Sequence, residues 1–419
     1  MKEKIVDIFD ISYEGSGVGK LDGKVIFVPK TLVGERVSVD IVKDSASFSV
    51  GKIDEILKAS DERLEPICPY FNVCGGCVFQ HCSAETEKKI KQQILAKELS
   101  KVGYFGSIDF VESDKRFGYR NKLKLEVCDG KMGYFRGKSR DFFEVKTCPI
   151  AEKEIEKSFE KVAKFVAEND FKMLKNVYFK HVGNQLAVCF LFEKEAKNAQ
   201  KTAKNLEILA NFSVFFAYGD ILESDETKIF SVLGESKFKK KVGDFDMEID
   251  VSAFNQVNDF VAEKLYDFVV EQTAEKRVIN AYSGQGLLTF LIAQKAKFVY
   301  GIEWQHSAHN EAEKLAQKMD EYKIENVCGK VEDEIDQILA KDKIDILVLD
   351  PAREGCKKSV MEAILSSKID KIVYISCNFA SLVRDLREIK DSYEIEKVTI
   401  FNMFPCCNSM ESVAILRRV

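Results

Sequence analysis

No stretch of about 18 consecutive apolar residues occurs in the sequence, so no helical segment is expected to span a membrane. The first residues, Met1-Lys-Glu-Lys-Ile-Val-Asp7, lack the apolar region of a secretory signal, and the expectation is a cytoplasmic protein. A basic excess is missing too: 63 Lys and Arg stand against 68 Asp and Glu, a net charge of −5. That balance serves a general nucleic-acid binder poorly, although basic residues can act where they are concentrated. Lys237-Phe-Lys-Lys-Lys241, Arg116 to Lys124 and Arg136-Gly-Lys-Ser-Arg140 are such concentrations, and each reads equally well as a solvated charged face. No internal repeat and no low-complexity linker appears.

Cysteine, by contrast, is plentiful, with 12 in 419 residues. In a reducing compartment this favours metal binding or catalysis over structural disulfides. A hydrophobic fraction of 46% supplies sizeable cores, and the length suits two or three domains. The spacing of apolar residues divides the chain into three units. Residues 1–58 read as four or five short strands, among them Lys4 to Phe9, Lys24 to Val28, Arg36 to Val42 and Phe48 to Ile56, a pattern that suggests an OB-like barrel. Residues 59–244 carry cysteines, a helix over Ala84 to Leu99, a helix over Ile155 to Glu168, and strands over Lys122 to Val127, Asn176 to His181 and Gln185 to Phe192. Residues 245–419 alternate strand and helix, which reads as a doubly wound, mostly parallel sheet; the last two strands, Tyr393 to Asn402 and Ser412 to Arg418, are joined so briefly that they are expected to pair antiparallel.

Chemistry concentrates at the strand ends of this last unit. Asn280-Ala-Tyr-Ser-Gly-Gln-Gly286 follows one strand and opens a helix, and Glu303 ends the next strand about 20 residues on, where a carboxylate can take ribose hydroxyls. The third glycine of a dinucleotide fingerprint is absent from Leu287 to Phe290, which favours S-adenosylmethionine over NAD. Asp345-Ile-Leu-Val-Leu-Asp350-Pro delivers Asp350 to the same sheet edge, either toward a ligand or as a helix cap. Lys371 to Ile375 leads into Ser376-Cys377-Asn378 and a helical pattern from Ala380 to Leu386, which puts the Cys377 thiol at a strand tip. Methylation at carbon 5 of uracil needs a thiol that adds to carbon 6, a base that takes the carbon 5 proton, and a sulfonium methyl donor in one cleft. Cys377 supplies the thiol and Glu411, just before the last strand, is the candidate base; a plain surface glutamate is the alternative for Glu411.

Cys68-x5-Cys74-Gly-Gly-Cys77 reads as a metal or iron–sulfur site with three clear ligands. Cys82 and Cys148 compete for the fourth position, and zinc is the rival for any set of four thiolates.

Together these segments resemble the RNA uracil-5 methyltransferase family, and within it the ribosomal branch with an N-terminal TRAM domain and a 4Fe–4S cluster. Ser376-Cys377-Asn378 with Arg384-Asp385 carries the likeness, as do Asp350-Pro-Ala-Arg353, Phe254-Asn-Gln-Val-Asn258 and Asn402-Met-Phe-Pro405 to Glu411-Ser412. The resemblance implies a TRAM barrel, a central α+β iron–sulfur and RNA-binding domain, and a C-terminal Rossmann-like methyltransferase domain. It implies that Cys377 is the nucleophile and Glu411 the base, and that Gln256, Tyr282, Gly284, Gly286, Glu303 and Asp350 form the S-adenosylmethionine site. It selects Cys148, in Cys148-Pro-Ile150, over Cys82 as the partner of Cys68, Cys74 and Cys77. Met132-Gly-Tyr-Phe-Arg136 fits the central RNA-binding domain. Departures from the usual pattern are Phe379 for a proline, Asn280 and Asn402 for aspartates, Leu287 at an often polar position, and Ser409 for a histidine. The implied activity is 5-methyluridine formation in structured RNA, most naturally 23S large-subunit ribosomal RNA, by a monomer, with a flipped target base. The rivals are transfer RNA as substrate, cytosine-5 methylation (disfavoured because Pro351 is followed by Ala352), and a non-catalytic RNA-binding assembly factor.

Overall fold

The computed structural model describes all residues except 1–3, 137–140, 170, 195–202, 223, 225, 243–244, 253 and 318–322. The basic stretch expected at Arg136 to Arg140 therefore lies, past Arg136, outside the described residues.

Six strands form the N-terminal sheet: β1 (Ile5–Asp7), β2 (Asp10–Ile11), β3 (Ser16–Leu21), β4 (Lys24–Pro29), β5 (Arg36–Asp44) and β6 (Phe48–Lys58), in the order β1-β5-β6-β4-β3-β2. Side chains alternate across the sheet, so Val6, Ile8, Ile26, Val28, Val37 and Val39 meet in one core. Three register shifts between β5 and β6 bend the pair and curl the sheet into a half-barrel. Gly19 is needed for that closure, because a Cβ there would lie 2.2 Å from Val6 Cγ1.

After the cysteine-bearing loop, helix α1 (Ala84–Leu99) starts at Ser83, whose hydroxyl accepts from the Thr86 amide. Strand β7 (Ile108–Val111) follows. The central sheet is built from β8 (Lys122–Cys128), β9 (Lys131–Phe135) and β10 (Phe142–Glu144), then, after helix α2 (Lys153–Asn169), from β11 (Leu174–Val182), β12 (Gln185–Phe192), β13 (Ser213–Tyr218) and β14 (Lys228–Leu233). Its order is β10-β9-β8-β11-β12-β13-β14. Phe159 and Phe165 of α2 pack on Phe179, Phe190, Phe192 and Phe216 of the sheet. A separate hairpin, β15 (Lys237–Val242) and β16 (Phe245–Asp250), carries the basic run Lys237 to Lys241 as a strand and buries Phe238.

The C-terminal part alternates α3 (Asp259–Thr273), β17 (Arg277–Ala281), α4 (Leu287–Ala293), β18 (Phe298–Glu303), α5 (His306–Gln317), β19 (Ile324–Cys328), α6 (Val331–Lys341), β20 (Ile346–Leu349), α7 (Lys358–Ser366), β21 (Lys371–Ser376), α8 (Phe379–Ile389), β22 (Tyr393–Phe401) and β23 (Glu411–Arg418). The strand order is β19-β18-β17-β20-β21-β23-β22-β7. Strands β19 to β21 run parallel, and β23 is antiparallel to both neighbours, as the short connection required. Strand β7 pairs parallel with β22, and α1 buries Ile90, Ile94, Leu95 and Leu99 in the core beneath this sheet. Both elements fall within the 59–244 stretch read from sequence as the central unit. A four-residue strand beside a helix has no sequence signal for a partner some 290 residues away.

Candidate active site

The register of three strands assembles the reactive edge. Ser376 ends β21 opposite Ser412 of antiparallel β23, and the Ser412 hydroxyl donates to the Ser376 carbonyl at 3.3 Å. Cys377 is the next residue past Ser376, and Glu411 the one just before Ser412, so the ladder sets thiol and carboxyl side by side at the sheet's end. Leu349 pairs with Tyr374 and with Ala281, which brings Asp350 and Tyr282 to the same edge. Two motifs are tied together there: Asn378 caps α8 by accepting from the Ala380 amide at 3.1 Å, and its side-chain amide donates to the Arg353 carbonyl at 2.9 Å. Behind them Asp385 accepts from Tyr374 and from the Cys356 amide at 2.6 and 2.8 Å, fixing α8 to the strand that carries the thiol.

Beside this edge lies a cleft of about 360 Å³. Gln256, Tyr282, Gly284 and Asp350 line it, together with Leu287 and Tyr266. Tyr282 and Gly284 both have positive φ, 63° and 56°, so the loop after β17 turns sharply and aims its backbone inward. Gly286 and Glu303 are not on the lining. Gly286 serves packing: a Cβ there would sit 2.8 Å from that of Ala312. Glu303 braces the loop, accepting from the Gly284 amide at 2.9 Å and the Gln305 amide at 2.8 Å. Gln256 is held by Asn121, whose side chain donates to the Gln256 carbonyl at 3.0 Å.

Charges at the edge repel one another. Burial pushes the Cys377 thiol up to about 11, and Glu411 and Asp350 add to the shift while Arg353 opposes it. Glu411, 3% exposed, is held well above the usual carboxylate range by burial and then by Asp350, again opposed by Arg353. Burial raises Asp350 to about 7. Burial also raises Tyr266, with Asp350 and Glu411 contributing, so this phenol borders both the cleft and the base. Arg353 and Tyr266 carry no role in the sequence reading. Arg353 was open to discovery, standing three positions past Asp350 at the same strand end, whereas nothing in the pattern of α3 marks Tyr266.

Residues 84–419 match the family described as tRNA (Uracil-5-)-methyltransferase, and residues 2–53 match the TRAM domain. The chain belongs to this uracil-5 methyltransferase family. Similar relatives include an uncharacterized RNA methyltransferase of Halalkalibacterium halodurans, 30% identical with 98% of this chain and 96% of that one covered. Another, from Caldanaerobacter subterraneus subsp. tengcongensis, is 31% identical over 99% and 98% of the two chains. Among solved structures, the Pyrococcus abyssi tRNA (uracil-54, C5)-methyltransferase in complex with S-adenosyl-L-homocysteine shares the fold over 98% of this chain and 99% of that one, at 21% identity and a TM-score of 0.78.

The cysteines expected to hold a cluster influence one another electrostatically in part. Cys68 and Cys74 raise the pKa of Cys148, which burial already pushes to about 12. The Tyr134 phenol lies within electrostatic reach of Cys148, Cys74 and Cys77 alike. Cys77 donates to the sulfur of Cys407, which lowers Cys407 to about 7 and raises Cys77. Cys82 points elsewhere: it is fully buried, bonds the Phe79 carbonyl, and faces Glu87 and Arg116. Among the described residues no group of three or more His, Cys, Asp or Glu side chains is arranged to hold a metal ion. Thiols are nonetheless the donor type that an iron–sulfur cluster takes. Also among the described residues, no helix is long and apolar enough to cross a membrane.

Proposed function

We propose that this chain uses S-adenosylmethionine to methylate carbon 5 of a uridine in structured RNA, with 23S large-subunit ribosomal RNA as the substrate. The observation that carries the reading is the Ser376–Ser412 pair at the end of β21 and β23, with Cys377 next to the first and Glu411 next to the second, beside the cleft lined by Gln256, Tyr282, Gly284 and Asp350. When bound, S-adenosylmethionine supplies an electrophilic methyl on a sulfonium. The Cys377 thiolate forms a bond to carbon 6 of the uracil, which places an enolate across carbons 4 and 5. Carbon 5 attacks the methyl, whose bond to sulfur breaks, and S-adenosylhomocysteine leaves with that electron pair on its sulfur. Glu411 then removes the carbon 5 proton, the carbon 5–carbon 6 double bond returns, and the bond to Cys377 breaks. Arg353 is the cation in reach of both groups and favours their ionised forms. The target base must leave its stack to reach a thiol at a strand end.

Cys68, Cys74, Cys77 and Cys148 would hold the 4Fe–4S cluster; the influence of Cys74, Cys77 and Cys148 on Tyr134, and of Cys68 and Cys74 on Cys148, supports this assignment. We assign the cluster no step in the chemistry; its place is to order the loop between the barrel and α1. The choice of ribosomal RNA rests on the combination of TRAM barrel and cysteine set. Transfer RNA is the second reading, favoured by a specific observation: the Pyrococcus abyssi enzyme, named for a tRNA substrate, has this architecture over 99% of its chain. The test is to incubate anaerobically purified protein with methyl-labelled S-adenosylmethionine and, separately, unmodified ribosomal and transfer RNA, then to analyse nucleosides by mass spectrometry. Label in 5-methyluridine from ribosomal RNA alone is the expected result. Label from transfer RNA alone overturns the substrate, and label in neither overturns the activity.

A further inference from the structure

The barrel reaches the catalytic edge through one aromatic contact. Tyr13 sits in the turn between β2 and β3, and its ring meets that of Phe379 edge-on, with centroids 5.9 Å apart and planes at 80°. Phe379 opens α8 two residues past Cys377. Tyr13 remains 57% exposed, and its hydroxyl bonds the exposed Glu14 next to it, at 3.1 Å.

The turn that presents it is fixed in place. Gly15 has φ +80°, and a Cβ there would lie 3.0 Å from Val78 Cγ2 and 3.1 Å from Phe79 Cζ, so the turn is seated on the cysteine-bearing loop. The Gly15 amide donates to the Ser12 carbonyl at 2.9 Å, and Lys97 of α1 bonds Asp10 at 2.9 Å. Tyr13 is therefore held beside the nucleophile before any ligand arrives, which lowers the ordering cost of binding. A hollow that includes both sequence neighbours of Phe379 is lined by Arg353, Asn378, Ala380, Ser381 and Arg384, with Glu354. Two arginines thus line the surface beside the start of α8.

Resting on the uracil-5 reading above, we propose that Tyr13 and Phe379 form a stacking platform for the unpaired RNA base next to the target uridine, with Arg353 and Arg384 toward its phosphate. Flipping a uridine out of its stack strips that neighbour of one stacking face. An aromatic ring restores the contact for any base, because every base has a π-face. The acidic groups near Tyr13, Glu14 and Glu98, disfavour a phosphate at that end and leave the ring to the base. The platform draws one residue from the barrel and one from the catalytic domain, so it gives the barrel a direct part in holding the substrate beside the thiol.

The experiment uses the full chain and a short RNA containing the uridine found methylated in the nucleoside assay. With 2-aminopurine placed directly 5′ or 3′ of that uridine, the wild-type protein should quench or shift its fluorescence at one of the two positions. Tyr13→Ala should abolish the signal and raise KM for RNA on the order of tenfold, while Tyr13→Trp retains both. An RNA made abasic at that position should already show the weakened KM, and Tyr13→Ala should weaken it no further. Equal losses from Tyr13→Ala on the intact and abasic RNA would mean that Tyr13 only glues the barrel to α8, and would overturn the platform. So would an unchanged KM in Tyr13→Ala. A wild-type protein that forms no 5-methyluridine in any RNA defeats instead the reading on which the platform rests.

Discussion

Lys91 of α1 donates to the side-chain oxygen of Asn402 at 2.8 Å, across 311 positions of sequence. The same ammonium bonds the Phe404 carbonyl at 3.0 Å and the Glu87 carboxylate at 2.7 Å, and it is wholly buried. Glu87 in turn accepts from the Cys406 amide at 2.9 Å. A buried ion pair thus clamps the loop that leads from β22 to Glu411. The amide oxygen of Asn402 is the lysine's acceptor on that loop.

Removing that lysine strips Glu87 of one of its two cations, since Arg116 stays 3.2 Å away. Lys91→Ala should lose about 3 kcal/mol of stability, the lower end for breaking a buried pair. Urea unfolding measures it; a loss within ~0.5 kcal/mol would show the pair to be dispensable.

Cys377→Ala should leave the fold intact, because the thiol is only half-buried, and should eliminate both 5-methyluridine and any covalent protein–RNA species. Turnover retained in that variant would remove the covalent mechanism.

Glu411→Gln preserves shape but cannot take the carbon 5 proton. One methyl should transfer and the protein should stay attached to the RNA, seen as a band resistant to denaturing gel conditions. Normal turnover with no trapped band would reassign the base.

The pH response follows from Asp350. Burial raises it to about 7, above its unfolded value of about 3.8, so the folded state binds the extra proton. This group favours folding most below about 3.8, and its contribution falls away as pH rises through about 7. Asp350→Asn should flatten the fall in melting temperature between pH 5 and pH 8. Parallel wild-type and variant curves would contradict it.

The cysteine assignment separates two residues by one assay. Anaerobically purified Cys148→Ser should lose its iron, and Cys82→Ser should keep it. Iron that depends on Cys82, or a wild-type protein without iron, would reverse the assignment.

Sequence made six of the strands from Arg277 to Arg418 legible as short apolar runs, but not β19, which is half-buried along its length and lacks such a run, nor the helices α6 and α7. Cys377 and Glu411 were nameable from chemistry, yet only the Ser376–Ser412 register shows that they are neighbours. Gly286 and Glu303 were read from sequence as ligand contacts; within the protein Gly286 packs against Ala312 and Glu303 accepts from the Gly284 amide, contacts that the sequence pattern does not show. The Lys91 clamp, strand β7 and the Tyr13–Phe379 contact join positions hundreds of residues apart. Local periodicity cannot report such pairings.

The most direct test of the central claim offers the wild-type protein its RNA with 5-fluorouridine at the target. Fluorine leaves Glu411 no proton to remove, so the cycle should halt after methyl transfer. Peptide mass spectrometry should then find a methylated fluorouridine bonded to Cys377. Efficient methylation of the normal RNA, with no adduct on the fluorinated one or with an adduct on another residue, would contradict the account.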